Sequence, residues 1–167
     1  MIVLMILSVA FAESYTITKN KVSFLAVGRP AMVKIRGEGE CVTGSLKLSG
    51  KELLVSTDCN LNQLSTGIDL RDTHMKEKYL EVGKPGWDRA HFEGSVLYKD
   101  GKNPFQGKLR LHGEEKPIAG DVTVAGTHLT FEWKTKVSDY KIPIPEYLGI
   151  KVADEVTITV DLDGNLK

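Results

Sequence analysis

The side chains of this 167-residue chain that could do chemistry are four histidines, two cysteines and a run of charged residues between 69 and 81. His74, His91, His112 and His128 show no H-x-H, H-E-x-x-H or H-x3-H spacing, so a metal site is not expected. A serine nucleophile would need an elbow such as G-x-S-x-G, which is missing, and neither Cys41 nor Cys59 has a neighbouring histidine to activate it. Asp69, Asp72, Glu77 and Glu81 could form an acid/base pair, but more plainly they cap a helix and face water. Arg71 and His74 offer two readings. They could meet a ligand headgroup such as a phosphate, or Arg71 could pair with Asp69 or Asp72 and pin a helix in place. The structural reading is the plainer one, and no catalytic group is expected.

The cysteines, Cys41 and Cys59, flank a hairpin turn at Ser49-Gly50-Lys51. An even pair makes a disulfide reasonable if the chain is exported, as the apolar leader over residues 1–12 suggests. A three-residue loop centred on Gly50 would set residue 41 opposite residue 59. The hydrophobic pattern prefers Leu46 and Leu48 opposite Val55 and Leu53, a two-residue turn that sends the cysteines to opposite faces. A bulge near Gly39 or Gly44 could reconcile the two, and both readings stay open.

The first twelve residues, MIVLMILSVAFA, form a short apolar run ending in Ala10-Phe11-Ala12. That small-x-small ending fits cleavage before Glu13, so residues 1–12 are read as a signal peptide and 13–167 as one domain. The competing reading is a buried N-terminal strand. The run is shorter than the roughly 20 residues a spanning helix needs. Lysine plus arginine number 22 and aspartate plus glutamate 22, which argues against a polyanionic partner such as nucleic acid.

The elements that must hold these residues read as strand after strand. Val22-Phe24-Ala26, Val33-Ile35, Val42 to Leu48, Leu53-Val55, Phe92 to Tyr98, Phe105 to Leu111, Leu129 to Thr135 and Val156 to Leu162 all alternate with polar neighbours. Turn chemistry at Gly28-Arg29-Pro30, Ser49-Gly50, Asp100-Gly101, Gly126 and Asp163-Gly164 separates them. Such spacing predicts a sandwich or an up-and-down barrel. Inward glycines at 44, 94 and 107 suggest bends or open volume. One short helix is expected from about Thr73 to Leu80, with Asp72 or Thr73 as N-cap and Met75, Tyr79 and Leu80 as its apolar stripe. The proline-bearing stretch 140–149 reads as a loop over a barrel mouth. An eight-stranded barrel can be filled by its own side chains or can hold one small ligand, and periodicity does not choose between them.

The stretch Leu64-Ser-Thr-Gly-Ile-Asp-Leu-Arg-Asp-Thr-His-Met75 resembles the s-x-x-T-G-x-x-x-R-D-x-H-L signature of the YceI-like, polyisoprenoid-binding family. Ala90-His91-Phe92 is similar to its A-T-F strand, and Gly107 to Pro117 to its G-x-L-t-l-h-G-x-x-K-P segment. Leu148-Gly149-Ile150 and Val152 to Val156 resemble its f-G-i and i-a-D-x-V elements. The chain departs from the pattern at Pro85-Gly86-Trp87-Asp88 and at Tyr140 to Pro145, both at barrel rims.

The resemblance implies an all-β, lipocalin-like, eight-stranded antiparallel barrel with one short helix inserted around residues 73–80. It further implies a periplasmic or secreted protein that does not span the membrane and has no catalytic cofactor. Its pore would hold an apolar small-molecule lipid, an isoprenoid such as a quinone or polyprenyl tail, and it could pair as a homodimer. On that reading Phe24, Phe92, Val96, Phe105, Leu109, Phe131, Trp133 and Ile158 line the pore. Arg71, His74, Ile144 and Tyr147 form the mouth and meet the headgroup. The rival expectation is a filled barrel acting as a structural or interaction protein of the envelope.

Overall fold

Alternating side chains and glycine turns commit most of the chain to β-structure. The computed structural model describes residues 12–30 and 32–167. The expected signal peptide therefore lies, but for Ala12, outside the described residues. The strands are β1 Glu13–Arg29, β2 Val33–Gly39, β3 Val42–Ser49, β4 Glu52–Asn60, β5 Arg89–Leu97, β6 Gly101–Leu111, β7 Glu114–Ala125 and β8 His128–Lys136. The short β9 Glu146–Tyr147 and β10 Ile150–Val152 precede the last strand, β11 Glu155–Leu166.

Successive strands from β3 to β8 pair antiparallel, β8 pairs β11, and β1 joins β11 to β3. The ring closes at eight strands, the lipocalin-like barrel the sequence leads one to expect, and closure leaves no free edge in the ring. β2 and β3 meet β1 in one common register, Val22 opposite Gly39 and Glu13 opposite Leu48, so they are two halves of one strand broken at Glu40-Cys41. At the break the Asn20 amide replaces the backbone ladder, accepting from the Val42 N–H at 2.9 Å and donating to its carbonyl at 3.3 Å.

The break also decides the cysteine question. β3 and β4 keep the two-residue turn, with Leu46 opposite Val55, Leu48 opposite Leu53 and Val42 opposite Cys59, and no bulge intervenes. Cys41 sits just outside β3, where the in-out alternation no longer constrains it, and its sulfur is bonded to that of Cys59. The bond closes a loop of 18 residues, worth about 3 kcal/mol in the chain-entropy account. It staples the broken strand to β4.

The helix differs from expectation at its start. An α-helical turn, α1 Asp69–Thr73, runs into a π-helical turn over His74–Tyr79, so the element begins four residues before Thr73. Ile68, not Asp72 or Thr73, is the N-cap and offers no side-chain bond. Asp72 lies inside the first turn. Its carboxylate reaches back to accept from the Thr66 N–H at 2.7 Å, the Thr66 hydroxyl at 2.6 Å and the Ser65 hydroxyl at 2.6 Å. Those bonds satisfy donors ahead of the helix and fix its entry, which a capping residue in front of it would otherwise do.

The inward glycines do not line empty space. A Cβ on Gly37 would lie 2.3 Å from the Phe24 ring, and one on Gly107 would lie 2.4 Å from the Phe92 ring. A Cβ on Gly164 would likewise meet the Tyr15 ring at 2.3 Å. Each of these three glycines is the seat of an aromatic ring from a nearby strand position, which lets a small barrel curve tightly around large side chains, whereas a Cβ on Gly44 would meet the Ser56 carbonyl oxygen at 2.3 Å.

Candidate functional site

The inward faces divide the barrel into two halves. At the end bearing the β3–β4, β5–β6 and β7–β8 turns, Tyr15, Leu46, Leu53, Val96, Val122, Val124, Leu129 and Leu162 pack into a continuous buried core. The Tyr15 hydroxyl donates to the Thr127 carbonyl, and burial, followed by the nearby Tyr98 and Asp163, pushes its pKa up to about 12. This end is plugged.

Above the plug, Phe105 meets the rings of Phe92, Phe131 and Trp133 edge to face at 6.0, 5.4 and 6.0 Å. Such T-shaped pairs contribute about 0.5–1.5 kcal/mol each beyond burial, so the layer is a rigid floor. Over it lies a cavity of about 550 Å³. Its walls run upward from Phe105 to Leu111 on β6, from Phe131 on β8 to Val137 just past its end, and from Val160 back to Val156 on β11. Six residues of strand give a depth of roughly 20 Å along the strands. The lining is almost wholly apolar, with Thr57, Thr66, Thr135, Arg71 and His74 among its few polar members.

Of the residues assigned to the pore, Phe24, Phe92, Phe105, Leu109, Phe131, Trp133 and Ile158 line this cavity. Val96 does not: it is 2% exposed and sits in the plug, opposite Phe105 and Leu53, below the floor. Arg71, His74 and Tyr147 border the opening, whereas Ile144 is half-buried and stands off the cavity wall. Arg71 makes no ion pair among the described residues, neither with Asp69 nor with Asp72, whose carboxylate accepts from Ser65 and Thr66. Its guanidinium is left facing the opening, against the pinning role read from sequence. Trp133 brings one unmet demand. Its buried Nε1–H has no acceptor among the described residues, a deficit of about 1–3 kcal/mol.

The apolar stripe expected on the helix and the segment 140–149 expected over the mouth together form a lid. Met75, Tyr79 and Leu80 from the π-turn face Tyr140 and Ile142 from the opposite segment, and all five line the cavity. The π-helical winding over His74–Tyr79 and the 3-10 turn over Val137–Tyr140, which runs into the expected loop, are the details that residue types alone do not mark. The two sides meet on His112, in the β6–β7 turn. Its Nδ1 lies 2.9 Å from the Tyr140 carbonyl and its Nε2 2.9 Å from the Glu81 carboxylate. Both partners only accept, so making both bonds takes a proton on each ring nitrogen. Trp87 packs on the imidazole at 4.0 Å between centroids, and Lys84 bridges Glu81 at 2.7 Å and the Trp87 ring at 4.3 Å. His91 and His128 face outward: His91 bonds Asp58 at 2.9 Å and His128 bonds Asp163 at 2.7 Å.

The arrangement can enclose an apolar body and orient one polar end toward solvent. Among the described residues no group of three or more His, Cys, Asp or Glu could hold a metal ion, and no helix is long and apolar enough to cross a membrane.

Among solved structures the chain is similar to a polyisoprenoid-binding domain from Saccharophagus degradans implicated in plant cell wall breakdown. The TM-score is 0.64 at 16% identity, covering 93% of this chain and 98% of that one. It is similar to BcnA of Burkholderia cenocepacia at a TM-score of 0.69 and 21% identity, over 86% of this chain and 94% of that one. The YCEI protein of Campylobacter jejuni aligns at a TM-score of 0.63 and 15% identity, over 78% of this chain and 85% of that one. Among curated proteins none matches. At such identities these likenesses establish the fold. Residues 15–163, nearly the whole barrel, match the YceI-like domain, and the chain belongs to the YceI-like family.

Proposed function

We propose that this chain is an exported carrier that sequesters an isoprenoid-type lipid, a quinone or polyprenyl tail, inside the barrel. The observation that carries the reading is the apolar cavity, plugged at one end and open at the other. An isoprenoid tail in water costs about 25 cal/mol per Å² of exposed apolar surface, and the cavity removes that cost without offering unpaired backbone. Arg71 and His74 stand at the opening, where a polar or phosphorylated headgroup would rest once the tail is inside. The likeness to the polyisoprenoid-binding domain of Saccharophagus degradans supports the ligand class. Export to the periplasm or beyond the cell is supported by the apolar run over residues 1–12 and by the Cys41–Cys59 bond, which persists in oxidising compartments. The rival reading, a filled barrel without ligand, has the plug in its favour but not the cavity above it.

Trp133 is a built-in reporter. In a Trp87→Phe variant it is the one tryptophan left, since the chain has two. A prenylated quinone should quench its fluorescence with a stoichiometry of about one per chain. Ala90→Phe, which adds a ring at the cavity wall, should reduce that quenching at unchanged circular dichroism. Absence of quenching by any prenylated quinone, together with a lipid-free solvent extract of protein purified from its own host, would defeat the carrier reading.

A further inference from the structure

Eight large apolar side chains are exposed among the described residues, and six of them ring the cavity opening. Met32 and Val33 stand at the β1–β2 turn, Ile68 and Leu70 at the start of the helix, and Tyr147 and Leu148 at the β9–β10 turn. Val33, Ile68, Leu70 and Tyr147 also border the cavity, so apolar surface continues from the lumen onto the rim. Exposed apolar residues gathered at one place, rather than scattered, mark a contact surface.

Backbone geometry supplies an independent sign. Met32 and Leu148, 64% and 83% exposed, both have positive φ, 51° and 50°. Bulky residues rarely adopt that conformation, which Gly or Asn accepts more readily. Leu148-Gly149 spans the two-residue β9–β10 loop with positive φ at both positions, the I′ turn for which Asn-Gly is the favoured sequence. At both tips the chain carries a strained, bulky apolar residue where a polar one would fold more easily, and high exposure leaves little packing to offset the strain. Strain of that kind clusters at functional sites.

The charges nearby narrow the partner. Arg29, Lys34, Arg71 and Lys151 lie beside the three turns with no carboxylate in ion-pair range among the described residues, against Asp69 and Glu146 of opposite sign. Apolar tips ringed by free cations fit the interface of an anionic bilayer, where the tips enter the acyl boundary and the cations stay at the phosphates. We infer that the barrel docks mouth-down on the surface of an anionic phospholipid bilayer, with Met32 and Leu148 as its inserting tips. A prenyl tail then slides between acyl chains and lumen without crossing water. The inference rests on the carrier reading for its purpose but on the rim for its evidence.

The test uses Met32→Asn/Leu148→Asn, since neither residue lines the cavity and asparagine suits both backbone conformations. Wild-type protein should co-float with phosphatidylglycerol-containing vesicles, less with pure phosphatidylcholine and less in high salt. The double variant should lose at least about tenfold in vesicle partitioning, given that a buried aliphatic side chain contributes about that factor on its own. It should keep or raise the thermal midpoint, and should bind a prenylated quinone presented in detergent as the wild type does. Its uptake of the same quinone from vesicles should slow. Wild-type protein that takes quinone from detergent yet never floats would overturn the docking and leave the carrier reading standing. Flotation without any quinone uptake would do the reverse. A mouth-to-mouth dimer in light scattering, abolished by the double variant and unaccompanied by flotation, would overturn the bilayer in favour of a second copy of the chain.

Discussion

Val96 and Ile158 both point into the barrel, yet a charge should affect them in opposite ways. Val96 lies in the plug, where an unpaired carboxylate costs several kcal/mol after relaxation. Ile158 is half-buried on the cavity wall, where the open volume lets water reach a carboxylate. Val96→Glu is therefore expected to unfold the protein or lower its urea midpoint sharply. Ile158→Glu is expected to preserve the β-type circular dichroism and to lose quinone quenching. The reverse pattern would show that the boundary between floor and cavity is misplaced. Alternation alone could not separate these two residues, because it reports which face of a strand is inward and nothing about height along the barrel. The glycines mislead for a related reason. Gly94 and Gly107 read as missing volume in a linear sequence, but the Phe92 ring occupies that space.

Two segments frame the mouth, and a carboxylate holds each. Asp72 fixes the entry to the helix through Ser65 and Thr66, and Asp154 accepts from the Ser138 N–H at 2.9 Å and the Ser138 hydroxyl at 2.6 Å. Partial burial alone would raise the Asp72 pKa, but its three hydrogen bonds outweigh that and hold it below the ordinary value. The Ser138 hydroxyl does the same for Asp154, against a smaller effect of burial. A carboxyl with a depressed folded pKa adds stability that is present above its unfolded value near ~3.9 and is lost as pH falls through the folded one. His91 behaves oppositely. Burial lowers its pKa, yet bonds to Asp58 and Glu93 raise it overall, so its contribution is present below ~6.5 and fades as pH rises through the folded value. Acidification below about pH 4 should thus loosen both sides of the mouth before the barrel unfolds. Bound quinone should dissociate faster there while far-ultraviolet circular dichroism stays constant, as stopped-flow fluorescence can record. Dissociation that tracks global unfolding would refute that order of events. Here the sequence was partly legible. A capped helix near residue 72 is evident from residue types, but whether Asp72 precedes the helix or reaches back from within it depends on where Thr66 stands in space. The cysteines were undecided for the same reason, since the break at Glu40-Cys41 is a tertiary feature with no local mark.

For the molecule as a whole, a tube with a solid floor sets a limit on what it can swallow. Each isoprene unit added to a quinone tail buries more apolar surface until the tail reaches the Phe105 layer, and further units remain outside or fold back. Affinity measured by calorimetry over a series of tail lengths should therefore climb and then level off. A climb that continues with every unit would mean that the plug yields.

His112 gives the rim a keystone. The helical jaw is tied to it through Glu81 and the opposing jaw through the Tyr140 carbonyl, and the imidazole itself is anchored in a turn of the rigid wall. On the carrier reading the two jaws are therefore expected to yield together, since a tail that prises one away draws on the ring that holds the other.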